Sequence, residues 1–228
     1  MKEVNLLARY PRAKRNVAAR VAHKDESREV ARRFGREYFD GTRAQGYGGY
    51  RYDGRWIPIA QDMVEHFGLR RGDRVLDVGC AKGFLVKDLM GVCPGLEAFG
   101  VDVSEYAIAH CEPEVAGRVQ TADARELPFT DRSFQCVISI NTIHNLDRED
   151  CVKALREIER LAPGRGYVQV DAYRSAAERK VFENWMLTAR TYGTPQDWLA
   201  ILNEAGYTGD YYWTILELDP EWTITGPA

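Results

Sequence analysis

VLDVGCAKGFLVKDL, residues 75–89, joins a strand-like run to a helical one across a short turn. Val75, Leu76 and Val78 are apolar up to Gly79, and Phe84, Leu85, Val86 and Leu89 then recur at helical spacing. The turn between them is Gly79-Cys80-Ala81-Lys82-Gly83. Glycine there admits left-handed backbone and lets a ligand come close, since no side chain intervenes. The start of the following helix offers backbone N–H groups to polar or anionic parts of that ligand. A dinucleotide fingerprint would need glycine at 79, 81 and 84, but the residues are Gly79, Ala81 and Phe84.

Outward from this turn the chain alternates. Strands are expected over 74–79, 98–103, 118–122, 134–140 and 166–172, with helices over 83–90, 105–111, 147–161 and 176–188. That order implies a parallel sheet covered on both faces, an α/β domain. Further on, 195–205 reads as a helix with Thr194 as N-cap and Gly206 just past its end. Runs 211–218 and 222–225 flank Asp219-Pro220 and are expected to pair as an antiparallel hairpin. Upstream, 59–67 reads as a helix, and Val30, Phe34 and Tyr38 place one helix over 24–39. Residues 1–23 read as weakly ordered, and GTRAQGYGGYRYDGRW, residues 41–56, reads as a loop.

Composition bounds the possibilities. With 228 residues, 45% hydrophobic, the chain can bury one α/β core with an N-terminal extension. No apolar run approaches the ~18 residues that cross a bilayer, so no membrane partner is expected. The opening MKEVNLLARYPRAKRN has no apolar stretch of a secretory signal. Five scattered cysteines without a CxxC pair argue against a disulfide framework or zinc site, so the expected compartment is the cytoplasm. Net charge is −3, yet residues 1–36 hold eleven Lys/Arg and four Asp/Glu, about +7, which leaves about −10 for the rest.

The motif spacing resembles that of class I S-adenosylmethionine (SAM)-dependent methyltransferases, whose Asp/Glu-x-Gly-x-Gly-x-Gly appears as Asp77, Gly79, Ala81 and Gly83, with Ala81 a departure. GVDVS (100–104) matches the family's second acidic strand end, TADARELPF (121–129) the third, DRSFQCVISINTIHNL (131–146) the fourth strand and its loop, and LREIERLAPGRGYVQVDAY (155–173) the fifth. The resemblance covers about residues 60–217. It implies a Rossmann-like fold: a seven-stranded, mostly parallel sheet ending in the hairpin, with an N-terminal helical lid. The implied segments are 1–58 (arm, helix and lid) and 59–228 (SAM-binding domain). SAM would be the cofactor and S-adenosylhomocysteine (SAH) the product. Asp77, Gly79, Cys80, Ala81, Gly83, Asp102, Val103, Asp123, Ala124 and Asn141 would bind it, Asp102 through the ribose hydroxyls and Asp123 and Ala124 at the adenine.

Methyl transfer is an in-line displacement, so the enzyme chiefly aligns the nucleophile and excludes water. A hydroxyl acceptor also needs a base. His144, in the loop after the fourth strand, is the candidate. The acceptor would be a small molecule, anionic or sugar-containing, methylated on a hydroxyl or amine. Tyr47, Tyr50, Arg51, Tyr52, Arg55 and Trp56 of the lid, with Asn145, Asp171 and Tyr173, are its candidate contacts. No metal site is expected. Competing readings are an RNA or protein methyltransferase docking through basic residues 9–36, and a non-catalytic SAM-binding partner subunit. The acidic remainder disfavours nucleic acid. The sequence assigns no oligomeric state.

Overall fold

A computed structural model describes residues 1–21 and 23–225. Ala22, in the expected arm, and residues 226–228, at the end of the expected SAM-binding segment, lie outside the described residues. The strands are β1 (Arg15–Asn16), β2 (Arg74–Val78), β3 (Glu97–Asp102), β4 (Val119–Thr121), β5 (Cys136–Ile140), β6 (Gly166–Ala172), β7 (Asp210–Ile215) and β8 (Thr223–Ile224). The α-helices are α1 (Val17–Val21), α2 (Lys24–Ala31), α3 (Arg36–Asp40), α4 (Ile57–Phe67), α5 (Phe84–Val92), α6 (Glu105–Ala109), α7 (Arg148–Leu161), α8 (Ala176–Trp185) and α9 (Pro195–Ala205). None of these helices is long and apolar enough to cross a membrane.

Six strands form one sheet in the order β4-β3-β2-β5-β6-β7, and every neighbouring pair is parallel. Side chains alternate across it, as the pleat requires. Val75, Cys136, Ile138 and Tyr167 join one apolar cluster with α4 and α5. Leu76, Val78, Val137, Val168 and Val170 join the other with α7 and α9. Helix ends follow local chemistry. Ser175 with Glu178 and Thr194 with Asp197 form capping boxes at α8 and α9, and Gly68 and Gly206 close α4 and α9 in left-handed backbone.

Three expectations are corrected. First, the terminal hairpin is absent among the described residues. The α8 and α9 segment carries the chain from β6 back to a parallel β7. The turn at Asp219 then sends the chain to pair β8 with β1, Arg15 opposite Thr223, so the main sheet has six strands rather than seven. Second, the helix over 24–39 is two helices. Phe34 adopts φ 49°, and its carbonyl accepts the Ser104 hydroxyl at 2.5 Å, which an unbroken helix would not present. Third, the N-terminal segment is tied down. Val4 N–H donates to Tyr211 O, Tyr211 N–H donates to Lys2 O, and Leu6 is buried over the Tyr167 hydroxyl.

The sheet order places the site. β2, β3 and β4 run outward one way from the centre, and β5, β6 and β7 the other. At the β2/β5 boundary, adjacent loops leave in opposite directions and open a crevice beyond the strand ends. The 79–83 turn and the loop after β5 flank that crevice.

Candidate functional site

Two cavities open at the switch point, of about 420 and 440 Å³. Both are lined by Tyr47, Gly79, Ala81, Ile140 and Asn141, so they meet there. The first extends along the ends of β3 and β4 past Asp102, Val103, Asp123 and Ala124. The second extends along the ends of β6 and β7, under the N-terminal segment, past Asp77, Tyr10, Arg15, Trp56 and Thr214.

The glycines of the turn serve packing inside the protein. A Cβ on Gly79, at φ 87°, would lie 1.8 Å from Thr142 Oγ1, so only glycine lets the turn close on the loop after β5. Gly83 approaches Val115 in the same way and lines neither cavity. Cys80 is buried and forms part of the second cavity's wall. Ala81 sits at φ 50°, a conformation that is strained for a side-chain-bearing residue. It is held there by its own N–H, which donates to Asp102 Oδ2 at 2.8 Å. The other Asp102 oxygen accepts Ser104 N–H at 2.8 Å. Burial nevertheless raises the Asp102 pKa, with these two bonds opposing it. Each oxygen retains a lone pair for a further donor. Val103 is 56% exposed on the same wall, an apolar surface suited to a flat ring. Asp123 accepts the Arg125 guanidinium at 2.6–3.0 Å, and Arg125 also pairs with Asp150.

The lid aromatics form a packed ladder. Tyr50 stacks on Phe84 at 4.5 Å, Tyr47 lies 4.4 Å from Tyr50, and Phe39 stacks on Tyr47. Beneath them the Lys82 ammonium of the turn meets Asp40 of α3 at 2.7 and 2.8 Å and the Tyr50 carbonyl at 3.1 Å, and the Tyr106 hydroxyl completes the Asp40 shell. Lid and turn are thus joined by one nearly enclosed ion pair. Tyr47, Tyr50 and Trp56 line the second cavity, and Asn145 lines the first.

The structure does not bring the other candidates there. Tyr52 donates to Asp88 at 2.6 Å, Arg55 pairs with its neighbour Asp53, and Arg51 is exposed. Tyr173 packs with α8 against Phe182. His144 is 4% exposed, and its Nδ1 accepts Asp171 N–H at 3.2 Å while its carbonyl takes the N–H groups of Arg190 and Thr191. Burial lowers its pKa and outweighs the nearby Asp171 carboxylate, so the ring is neutral and pins the loop to β6. The basic arm is also committed. Arg20 donates to the carbonyls of Trp185, Arg43 and Gly46 and lies over the Trp185 ring at 3.8 Å, and Arg32 donates to Ala189 O. These arginines fasten α1 and α2 to the α8 segment.

Two residues escaped the sequence reading. Gln169, fully buried in β6, receives Asn141 N–H at 3.1 Å and donates to Thr214 Oγ1 at 2.6 Å, so it fixes the residue where the cavities meet. An amide inside the apolar run Tyr167–Val170 was the available clue. Arg15 lines the second cavity because β1 and β8 pair, and no local pattern announces that.

Residues 75–166 match the family model of a methyltransferase domain. The O-methyltransferase cnsE of Penicillium expansum is 30% identical over 145 residues, 54% of this chain and 51% of that protein. A demethylmenaquinone methyltransferase of Staphylococcus aureus is 32% identical over 108 residues, 45% and 44% of the two chains. A tRNA (carboxymethyluridine(34)-5-O)-methyltransferase of Arabidopsis thaliana is 28% identical over 125 residues, 54% and 29%. The chain spans about half the length of these relatives, or less. The YcgJ protein of Bacillus subtilis shares the fold, with a TM-score of 0.51 at 21% identity over 64% of this chain and 66% of that one. The matched segment contains the 79–83 turn and Asp102 at the end of β3. Over residues 75–166 the chain is thus similar to a methyltransferase domain, on a fold shared with the YcgJ protein.

Proposed function

We propose that the protein transfers the SAM methyl group to a hydroxyl or amine of a small molecule, with the cofactor in the first cavity and the acceptor in the second. The observation that carries this reading is the meeting of the two cavities at Tyr47, Gly79, Ala81, Ile140 and Asn141. In-line displacement needs a nucleophile and a methyl donor on opposite sides of one carbon, and two cavities with one common wall supply that arrangement.

The residues of the first cavity fit the cofactor. The free lone pairs of Asp102 accept ribose hydroxyls, Asp123 and the Ala124 backbone meet the adenine edge, and Val103 packs on its face. Asn141, where the cavities meet, and Asp77, just beyond it in the second cavity, take the methionine end. Gly79, Cys80, Ala81 and Gly83 set the shape of the turn beneath it. When bound, the cofactor supplies a sulfonium carbon that needs no activation beyond alignment. Tyr47 and Tyr50 exclude water from above, so residues 1–58 act as a cover on the domain of residues 59–228. His144 keeps a positioning role through the loop that carries Asn141 and Asn145. The O-methyltransferase among the relatives supports an oxygen acceptor. The commitment of Arg20 and Arg32 to backbone carbonyls leaves less of the basic arm for a nucleic acid.

Calorimetric titration with SAH tests the cofactor half. Two charge-assisted bonds to Asp102, each worth roughly 1.5–3 kcal/mol, predict that Asp102→Ala weakens SAH at least ~100-fold. Methyl-labelled SAM incubated with fractionated cell extract tests the acceptor half. Label is expected in small molecules and lost with Asp102→Ala. Label in nuclease- or protease-sensitive material would reject the small-molecule reading.

A further inference from the structure

The second cavity contains two arginines in different states. Arg12 is committed, paired with Glu217 and lying over the Trp222 ring at 4.0 Å. Arg15 is half-buried, and among the described residues its guanidinium has no hydrogen-bond or salt-bridge partner. Its place is fixed all the same. Arg15 N–H donates to Trp222 O at 2.8 Å, the residue lies opposite Thr223, and Val17 just beyond is buried. Burial lowers its pKa below the ordinary guanidinium range; the Asp171 and Glu217 carboxylates raise it, and the Arg43 and Arg12 cations lower it further. A half-buried cation on a fixed backbone, without a hydrogen-bonded counter-ion, is a receptor for an anion.

The surrounding chemistry narrows the anion. Tyr10, Trp56, Tyr212 and Trp222 wall the cavity, with the Tyr10 and Trp56 rings 4.8 Å apart. Such walls suit a flat, largely apolar body. A single guanidinium without a hydrogen-bonded partner balances one negative charge, and its planar fork matches a carboxylate. Building on the reading of this cavity as the acceptor site, we propose that the acceptor is a flat molecule bearing a carboxylate, which Arg15 grips through two parallel N–H···O bonds. The grip orients the nucleophile toward the shared wall at Asn141. The same oxyanion chemistry exists on the methionine end of the cofactor, so the test must separate the two sources.

The probes are 2-naphthoate and its uncharged isostere 2-naphthamide, titrated by quenching of tryptophan fluorescence, since Trp56 and Trp222 line the cavity. In the SAH-saturated wild type the acid should bind at least ~10-fold more tightly than the amide. Arg15→Gln should erase that preference and leave the SAH dissociation constant within about twofold, and Arg15→Lys should restore part of it. Equal binding of acid and amide to the wild type overturns the proposal, and this comparison stands even if Arg15→Gln fails to fold. Weakening of SAH by ~10-fold in Arg15→Gln, with the naphthoate preference intact, also overturns it and gives Arg15 to the methionine carboxylate. If SAH fails to bind the wild type, the cofactor assignment falls, while the acid-to-amide ratio measured without SAH still decides for or against the anion site.

Discussion

At the scale of single residues the most informative group is Asp77. It is buried at the end of β2, and burial, reinforced by the Asp102 charge, pushes its pKa from 3.8 up to about 7. A folded pKa above the unfolded one contributes stability below about pH 3.8 that is lost as pH rises through about 7. The ligand-free protein is therefore expected to melt lower at pH 8 than at pH 5 through this group, and Asp77→Asn should raise Tm at pH 8. With the methionine ammonium beside Asp77, as proposed above, the ionised form is favoured and binding releases a proton. SAH affinity should rise up to ~10-fold per pH unit from about pH 5.5 to 7 and level off above, a dependence that Asp77→Asn flattens. Gln169 offers a second test. Gln169→Leu leaves Asn141 N–H and Thr214 with one partner fewer, and is expected to cost about 1–3 kcal/mol in urea unfolding. It should also lower turnover more than SAH affinity, because Asn141 stands where the cavities meet. The residue types of the first cavity were legible in the sequence, since strand ends carry their ligand-facing residues in a fixed order. The local motif did not reveal that Gly79 is required by Thr142, which lies 63 positions away in the chain.

Among elements, the joint between α3 and the 79–83 turn decides whether the lid stays seated. Lys82 and Asp40 have side-chain exposures of 10% and 26%, and removing one partner leaves the other poorly compensated. Lys82→Met should lower stability by up to about 3 kcal/mol, measured by urea unfolding, whereas Lys82→Met with Asp40→Leu should recover part of that loss. Asp40 itself titrates below the ordinary carboxyl range. Burial raises its pKa, but the bonds from Lys82, Tyr106 and the Tyr50 backbone outweigh it. Its contribution is therefore complete above the unfolded pKa and is lost as pH falls through the lower folded one. The helix expected over 24–39 failed at this same scale. Periodicity marked Val30, Phe34 and Tyr38, which are half-buried, whereas α2 buries Ser27 and Ala31 and α3 buries Phe39; Ser104, reaching Phe34 from another element, fixed the break.

In the whole molecule, residues 5–15 and 212–222 build much of the second cavity, where the acceptor is proposed to bind. The first cavity is lined by nothing before Arg32, whereas the second takes a wall from residues 5–15 and another from 212–222. Removal of residues 1–11 should leave the SAH dissociation constant nearly unchanged in calorimetry. It should also lower Tm, because Leu6 is buried and a fully buried leucine contributes roughly 1.5–3 kcal/mol. Labelled-methyl transfer to small molecules should fall sharply. A truncation that weakened SAH as much as it weakened transfer would show that the two cavities are not functionally separate.

The sequence by itself determined the α/β class, the parallel core strands and the acidic strand ends at Asp77 and Asp102. These follow from local periodicity, from glycine punctuation and from chain order, all of which are written in short windows. Only the tertiary structure decided that β7 runs parallel, that β8 seeks β1, that His144 faces the interior and that Arg15 enters a cavity. Each of those depends on a contact between distant segments. Asp210–Ile215 pairs as well in either direction by its side-chain pattern, and the choice falls to the α8 and α9 crossover that delivers it.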